Sequence, residues 1–229
     1  MIIATWNVNS VRSRLERVVG WTERARPDVL CLQEIKTTDD LFPRERFTEL
    51  GYHAEVFGQK TYNGVALLAL APITKVERNG TRFWVAGTGD PAGRRGSPVA
   101  PDVERTLAAV PPEGFTLALA HNPALWPALA EHGVELTLSG HTHYGQIAIP
   151  RLGWSLASPF LEHAMGQHQK DGSQLYINPG TNYWGIPFRL GTPPEVTVLT
   201  LRRGPGAASH THPPLKRNRP AWEPAGHAS

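Results

Sequence analysis

Apolar and polar positions along the chain alternate in short blocks that end abruptly. Ile2-Ile3-Ala4-Thr5-Trp6 is apolar and β-branched, and it gives way at Asn7-Val8-Asn9-Ser10 to residues that favour turns. This predicts a buried strand ending in a polar loop. Ser10 is placed to cap a helix whose apolar face is Val11, Leu15, Val18, Val19 and Thr22, with Pro27 as its stop. Residues 28–32 predict a second buried strand, with Gln33 and Glu34 at its C-terminal end. Strand, helix and strand in that order predict a parallel or mixed sheet covered by helices. Such sheets present ligand sites at the C-terminal ends of their strands, where Asn7 and Glu34 would both sit.

Further along, 41–50 reads as a short helix closed by Gly51, and 52–57 with 65–70 as antiparallel strands joined by the turn-rich 59–64. A strand at 82–86 is followed by the Gly- and Pro-rich 87–101, where Asp90 reads as a turn residue, and by a short helix at 103–110. The pattern then becomes regular: a strand at 116–120 ending in His121, a helix at 124–131, Gly133, and a strand at 135–138 running into Ser139-Gly140-His141-Thr142-His143. Later strands are predicted at 174–177 and 195–201, the second alternating as a half-buried strand does.

Composition narrows the class. With 40% hydrophobic and 19% charged residues, the chain is an ordinary globular protein able to bury a core. No stretch approaches the roughly 20 apolar residues of a membrane span. Residues 1–10 lack a basic region followed by an apolar run, so no signal peptide and no membrane partner are expected, and the predicted location is cytoplasmic. The single Cys31 has no internal disulfide partner and reads as a small apolar residue packed in a strand. The net charge of +3 gathers in Arg202, Arg203, Lys216, Arg217 and Arg219, so the basic excess is mostly a tail, with 204–229 expected to be disordered.

Three histidines stand where apolar strands stop. An imidazole at a strand end is poised to hold a cation, and Gly140 lets the backbone turn tightly enough for His141 and His143 to point the same way. Neutral imidazole suits zinc, iron or manganese. The segments Leu119-Ala120-His121-Asn122-Pro123 and Ser139-Gly140-His141-Thr142-His143-Tyr144-Gly145-Gln146 resemble the last two metal motifs of the calcineurin-like metallophosphoesterases. Tyr176-Ile177-Asn178-Pro179-Gly180-Thr181 and Ile186-Pro187-Phe188-Arg189 extend the resemblance over about 80–203. It implies two-metal hydrolysis of phosphoesters, with His121 and His141 each on one ion and His143 sharing the second site or contacting phosphate. The chain departs from that family in its early motifs: the Asp-x-His strand end, the Gly-Asp with its later partner and the Gly-Asn-His are absent.

The first 75 or so residues resemble a different family. Ala4-Thr5-Trp6-Asn7-Val8-Asn9-Ser10, Leu30-Cys31-Leu32-Gln33-Glu34, Lys36 to Pro43 and Gly58 to Ala66 are similar to the start of the exonuclease III family of DNA repair nucleases. That resemblance implies a magnesium ion held by Asn7 and Glu34. The later Asp-x-Asn, Gly-Asp-x-Asn and Ser-Asp-His motifs of that family do not occur. Read by themselves, Asn7 is a polar turn residue and Glu34 a solvent-facing acid.

Both families are four-layer α-β-β-α sandwiches with mixed sheets, and that α/β architecture is the expected fold. The implied domain organisation is a chimera: 1–75 from the first sheet's parent, 80–203 from the second's, and 204–229 as tail. If the two rims align, Asn7 and Glu34 face His121, His141 and His143, a donor set sufficient for one divalent ion, whether manganese, iron, zinc or magnesium. Candidate catalytic residues are His143, Asn7 and Glu34, and candidate metal ligands are His121, His141, His143, Glu34 and Asn7. Three functions follow in order: a metal-dependent phosphoester hydrolase of the metallophosphoesterase type; a magnesium-dependent DNA repair nuclease with a nucleic acid partner; and an inactive fusion that keeps a metal-binding remnant.

Overall fold

The structure is a computed structural model that describes residues 1–59, 63–70, 76–78, 81–88, 102–183, 185, 187–201 and 216–217, with backbone alone for 76–78, 81–82 and 216–217. The Asp90 turn and the 204–229 tail, apart from 216–217, lie outside the described residues, as do 71–75 and 79–80 around the boundary between the two expected segments.

Strand β1 (Ile2–Asn7) leads through a 3-10 turn at Arg12–Arg14 into helix α1 (Leu15–Ala25), then strand β2 (Val29–Gln33). The Ser10 hydroxyl accepts from the Ser13 amide at 3.3 Å, so the cap forms on the 3-10 turn and the α-helix begins later. Its C-terminus closes where Arg26 enters the left-handed region (φ 44°) and donates its N–H to Thr22 O, just before Pro27. Helix α2 covers only Arg44–Thr48 of the expected 41–50, because Pro43 lacks an N–H and bars its predecessor from helical geometry. Strands β3 (His53–Phe57) and β4 (Val65–Ala69) follow as an antiparallel pair.

The second half contains β5 (Val76–Arg78), β6 (Thr81–Thr88), helix α3 (Val103–Leu107), β7 (Phe115–Ala120), helix α4 (Trp126–Glu131) and β8 (Leu136–Ser139). The two-residue strands β9 (Ala148–Ile149) and β10 (Trp154–Ser155) pair with each other alone. Strands β11 (Gly166–Lys170), β12 (Ser173–Ile177), β13 (Thr197–Thr200) and β14 (Lys216–Arg217) complete the described elements.

These strands form two six-stranded mixed sheets, ordered β14-β13-β1-β2-β4-β3 and β11-β12-β8-β7-β6-β5. In the first, β1 and β2 are parallel while β13 runs antiparallel to β1. In the second, β6, β7, β8 and β12 are mutually parallel. The sheets pack face to face: Ile3, Cys31 and Leu67 from the first meet Leu117, Leu138 and Tyr176 from the second in one buried cluster. The period-2 alternation of a strand sends the intervening residues outward. Trp6, Leu30 and Leu68 therefore pack beneath Val18 of α1 and Phe47 of α2, and Ala118 and Ala120 beneath Leu129 of α4. The result is the expected α-β-β-α sandwich of mixed sheets. One feature differs from a division of one sheet per segment: β13 crosses back and covers the edge of β1, satisfying backbone groups that would otherwise be open. Among the described residues, no helix is long and apolar enough to cross a membrane.

Candidate metal centre

The parallel strands of both sheets end at one rim. Asn7 is the last residue of β1 and Glu34 follows β2, while His121 follows β7 and Gly140-His141-Thr142-His143 follows β8. The Gly140 amide donates to His121 O at 3.0 Å, tying the two histidine loops together. Glycine is required there because a Cβ would stand 2.9 Å from Asn7 Nδ2, on the opposite sheet.

All five expected residues converge. Asn7 Nδ2 donates to Glu34 Oε1 at 2.9 Å. The same oxygen lies 3.3 Å from His143 Nε2 and 3.6 Å from His121 Nε2. His121 Nε2 is in turn 3.2 Å from His141 Nδ1, with the two rings nearly perpendicular. Asn7, Glu34, His121 and His143 are buried, whereas His141 is exposed at the mouth. Asn7 and Glu34 are therefore neither a surface turn nor a solvent-facing acid. Asn7 turns its amide nitrogen toward the carboxylate, so it holds Glu34 in place instead of offering an oxygen.

Burial pushes the Glu34 carboxyl up, but the close approach of His143, the charges of His121 and His143 and the Asn7 amide outweigh it, and the net direction is down. The carboxylate is thus held in its ionised form although its residue is buried. His143 is different: neither Nδ1 nor Nε2, both buried, makes a hydrogen bond of normal geometry among the described residues, and Nε2 has Glu34 Oε1 as a close polar neighbour at 3.3 Å. A buried nitrogen left in this state costs on the order of 1–3 kcal/mol unless something else engages it.

A divalent ion meets that requirement chemically. Ligands bonded at about 2.1 Å to one ion sit roughly 3–3.5 Å from one another, close to the separations from Glu34 to His143 and from His121 to His141. Among the described residues, however, no three His, Cys, Asp or Glu side chains already enclose a common coordination point. The donor types and two of the pairwise spacings suit an ion, and the side chains must rearrange to close around one.

Several residues at this rim escaped the sequence reading. Lys36 Nζ lies 3.2 Å from Glu34 Oε2 and brings a fixed positive charge to the cleft. Asn178, buried after β12, accepts from the Asn7 amide at 3.3 Å and donates to Thr197 Oγ1 at 2.7 Å, locking β1 to the return segment. Arg189 donates to Pro179 O at 3.0 Å and reaches His143 O at 3.5 Å, bracing the histidine loop. The sequence does offer a signal for Lys36, two residues beyond Glu34. Glu34, Lys36, His141 and His143 all adopt positive φ, at 51°, 51°, 67° and 47°. Non-glycine residues in the left-handed region cost energy and gather at functional sites.

Comparison with known proteins gives two kinds of match. The endonuclease/exonuclease/phosphatase family profile matches residues 4–223. An uncharacterized metallophosphoesterase of Helicobacter pylori is 38% identical over 118 residues, covering 51% of this chain and 31% of the relative. Exodeoxyribonuclease III of Haemophilus influenzae is 44% identical over 68 residues, covering 30% of this chain and 26% of the relative. The chain thus spans about a third or less of the length of each. Among solved structures, an AP endonuclease from Archaeoglobus fulgidus is 35% identical over 41% of this chain and 42% of its own, with a TM-score of 0.35.

Proposed function

The chain belongs to the endonuclease/exonuclease/phosphatase family, and from that premise we propose that it is a metal-dependent phosphoester hydrolase of the metallophosphoesterase type with one composite metal centre. The observation that carries the proposal is the approach of Glu34 Oε1, on one sheet, to His143 Nε2 and His121 Nε2 on the other, at 3.3 and 3.6 Å. Glu34, His121 and His143 would hold the ion, with His141 adjacent. Bound there, a divalent ion supplies charge neutralisation at phosphoryl oxygens and a lowered pKa for coordinated water.

The remaining chemistry belongs to the chain. Asn7 fixes the orientation of the Glu34 carboxylate. Lys36 attracts the phosphoryl group and offsets its charge. His141, exposed at the cleft mouth with Nδ1 turned to His121, is placed to pass a proton to the leaving oxygen. Manganese, iron and zinc suit the imidazoles better than magnesium does. The division into 1–75 and 80–203 segments of two parents is part of the same proposal, supported by the separate relatives named as exodeoxyribonuclease and metallophosphoesterase.

The test is calorimetry on EDTA-treated protein titrated with Mn²⁺ or Zn²⁺, beside hydrolysis of p-nitrophenyl phosphate and its bis-ester. Stoichiometric binding is expected, with binding and turnover both lost in Glu34→Gln by a factor of about 100 or more. Absence of binding would end the proposal. The exodeoxyribonuclease resemblance favours a second reading, a DNA repair nuclease. Cleavage of abasic-site DNA without turnover of either p-nitrophenyl ester would select it.

A further inference from the structure

The centre opens into a cleft of about 600 Å³ lined by both polar and apolar side chains. Glu34, Lys36 and the three histidines line it together with the apolar Ile147, Leu156, Leu161 and Phe188. That volume falls within the range that encloses a drug-sized ligand and far exceeds what a phosphoryl group needs. The remaining space can take the rest of a substrate, and the apolar side chains lining it suit an apolar group.

We propose that the phosphoester taken by this site carries an apolar alkyl or aryl group, which lies against Ile147, Leu156, Leu161 and Phe188 while its phosphoryl group meets Glu34 and the histidines. This rests on the hydrolase reading above and narrows it to a substrate class. Two observations favour an apolar occupant over a nucleic acid strand. Lys36 is the sole lysine or arginine among the described residues lining the cleft, whereas a strand of phosphates calls for several cations. Exposed apolar residues also stand near the cleft in sequence: Leu156 lines it and is 47% exposed, and Leu152 and Phe160, four residues before and after, are 75% and 81% exposed. Exposed apolar side chains grouped beside a polar site suit an apolar ligand.

The experiment titrates the full chain, with Mn²⁺ present, with n-alkylphosphonic acids from methyl to octyl, which cannot be hydrolysed. Affinity is expected to rise about fourfold per methylene over the first several carbons. In Leu161→Asp the octyl-to-methyl affinity ratio should fall at least tenfold, and in Leu161→Met it should return, with circular dichroism verifying the fold of each. An affinity independent of chain length, or a ratio untouched by Leu161→Asp, overturns the inference and leaves hydrolysis of the p-nitrophenyl esters unaffected. A clear chain-length slope in protein that hydrolyses neither ester overturns the hydrolase reading alone. A second arm assigns the source of the apolar group. Cosedimentation with phosphatidylcholine vesicles containing phosphatidic acid identifies a bilayer lipid, and its absence beside a retained slope identifies a soluble ester.

Discussion

Gly140 and Cys31 show how closely the two sheets constrain single side chains. A methyl group at Gly140 would press on Asn7 Nδ2 at 2.9 Å and Asn7 Cβ at 3.3 Å, and Asn7 has little room to retreat because Gly180, itself at φ 71°, approaches it from another side. Gly140→Ala should therefore push Asn7 off Glu34. Loss of such a supporting hydrogen bond lowers metal affinity by about 10- to 100-fold, which calorimetry would read, and an unchanged affinity would show that Asn7 does not hold the carboxylate in its working position. Cys31, in the inter-sheet core, is pushed up to about 12 by burial. Its thiol stays protonated in the folded state while the unfolded thiol ionises near 8.5. The stability it contributes is complete below about pH 8.5 and is lost as pH rises toward 12, because the unfolded chain then binds fewer protons. Urea midpoints at pH 7 and pH 10 should fall more steeply for the native chain than for Cys31→Ala, and equal slopes would refute the assignment.

The same logic explains which elements the sequence revealed. β1, β2, β7 and β8 were legible because each is an apolar run cut off by Asn, Glu or His, and that abrupt change marks both the strand end and the site. The residues that meet at the rim were legible for the same reason, aided by the resemblance of their motifs to known metal sites. β11, Gly-Gln-His-Gln-Lys, was not legible: it is a polar edge strand with no buried alternation, held by its ladder to β12. β9 and β10 are too short to carry a period. The return of β13 to β1 was hidden as well, since a strand's pattern states which face is buried and not which neighbour it pairs with. Lys36 and Asn178 stood inside motifs that resemble known families, but nothing in the sequence assigned either a role. The role of Asn178 comes from a partner distant in sequence, since it bonds Asn7 from 171 positions away.

The arrangement of donors has a consequence for how the chain as a whole resists unfolding. Glu34 belongs to the first sheet and the histidines to the second, so an ion held between them would staple the two sheets at a rim where β13 already pairs with β1. An ion that binds only the folded state adds stability as RT ln(1 + [M]/Kd), about 2.7 kcal/mol at one hundred times Kd. Because the inner faces of both sheets share one core, neither sheet can keep its apolar face buried once the other leaves. Thermal unfolding followed by circular dichroism is therefore expected to be a single transition that moves upward as Mn²⁺ is raised and returns on adding EDTA. The upward shift should vanish in Glu34→Gln, which removes a carboxylate charge while keeping the side chain's shape. A melt that splits into two steps, with Mn²⁺ moving only one of them, would mean that the sheets are separate folding units and that the ion does not bridge them.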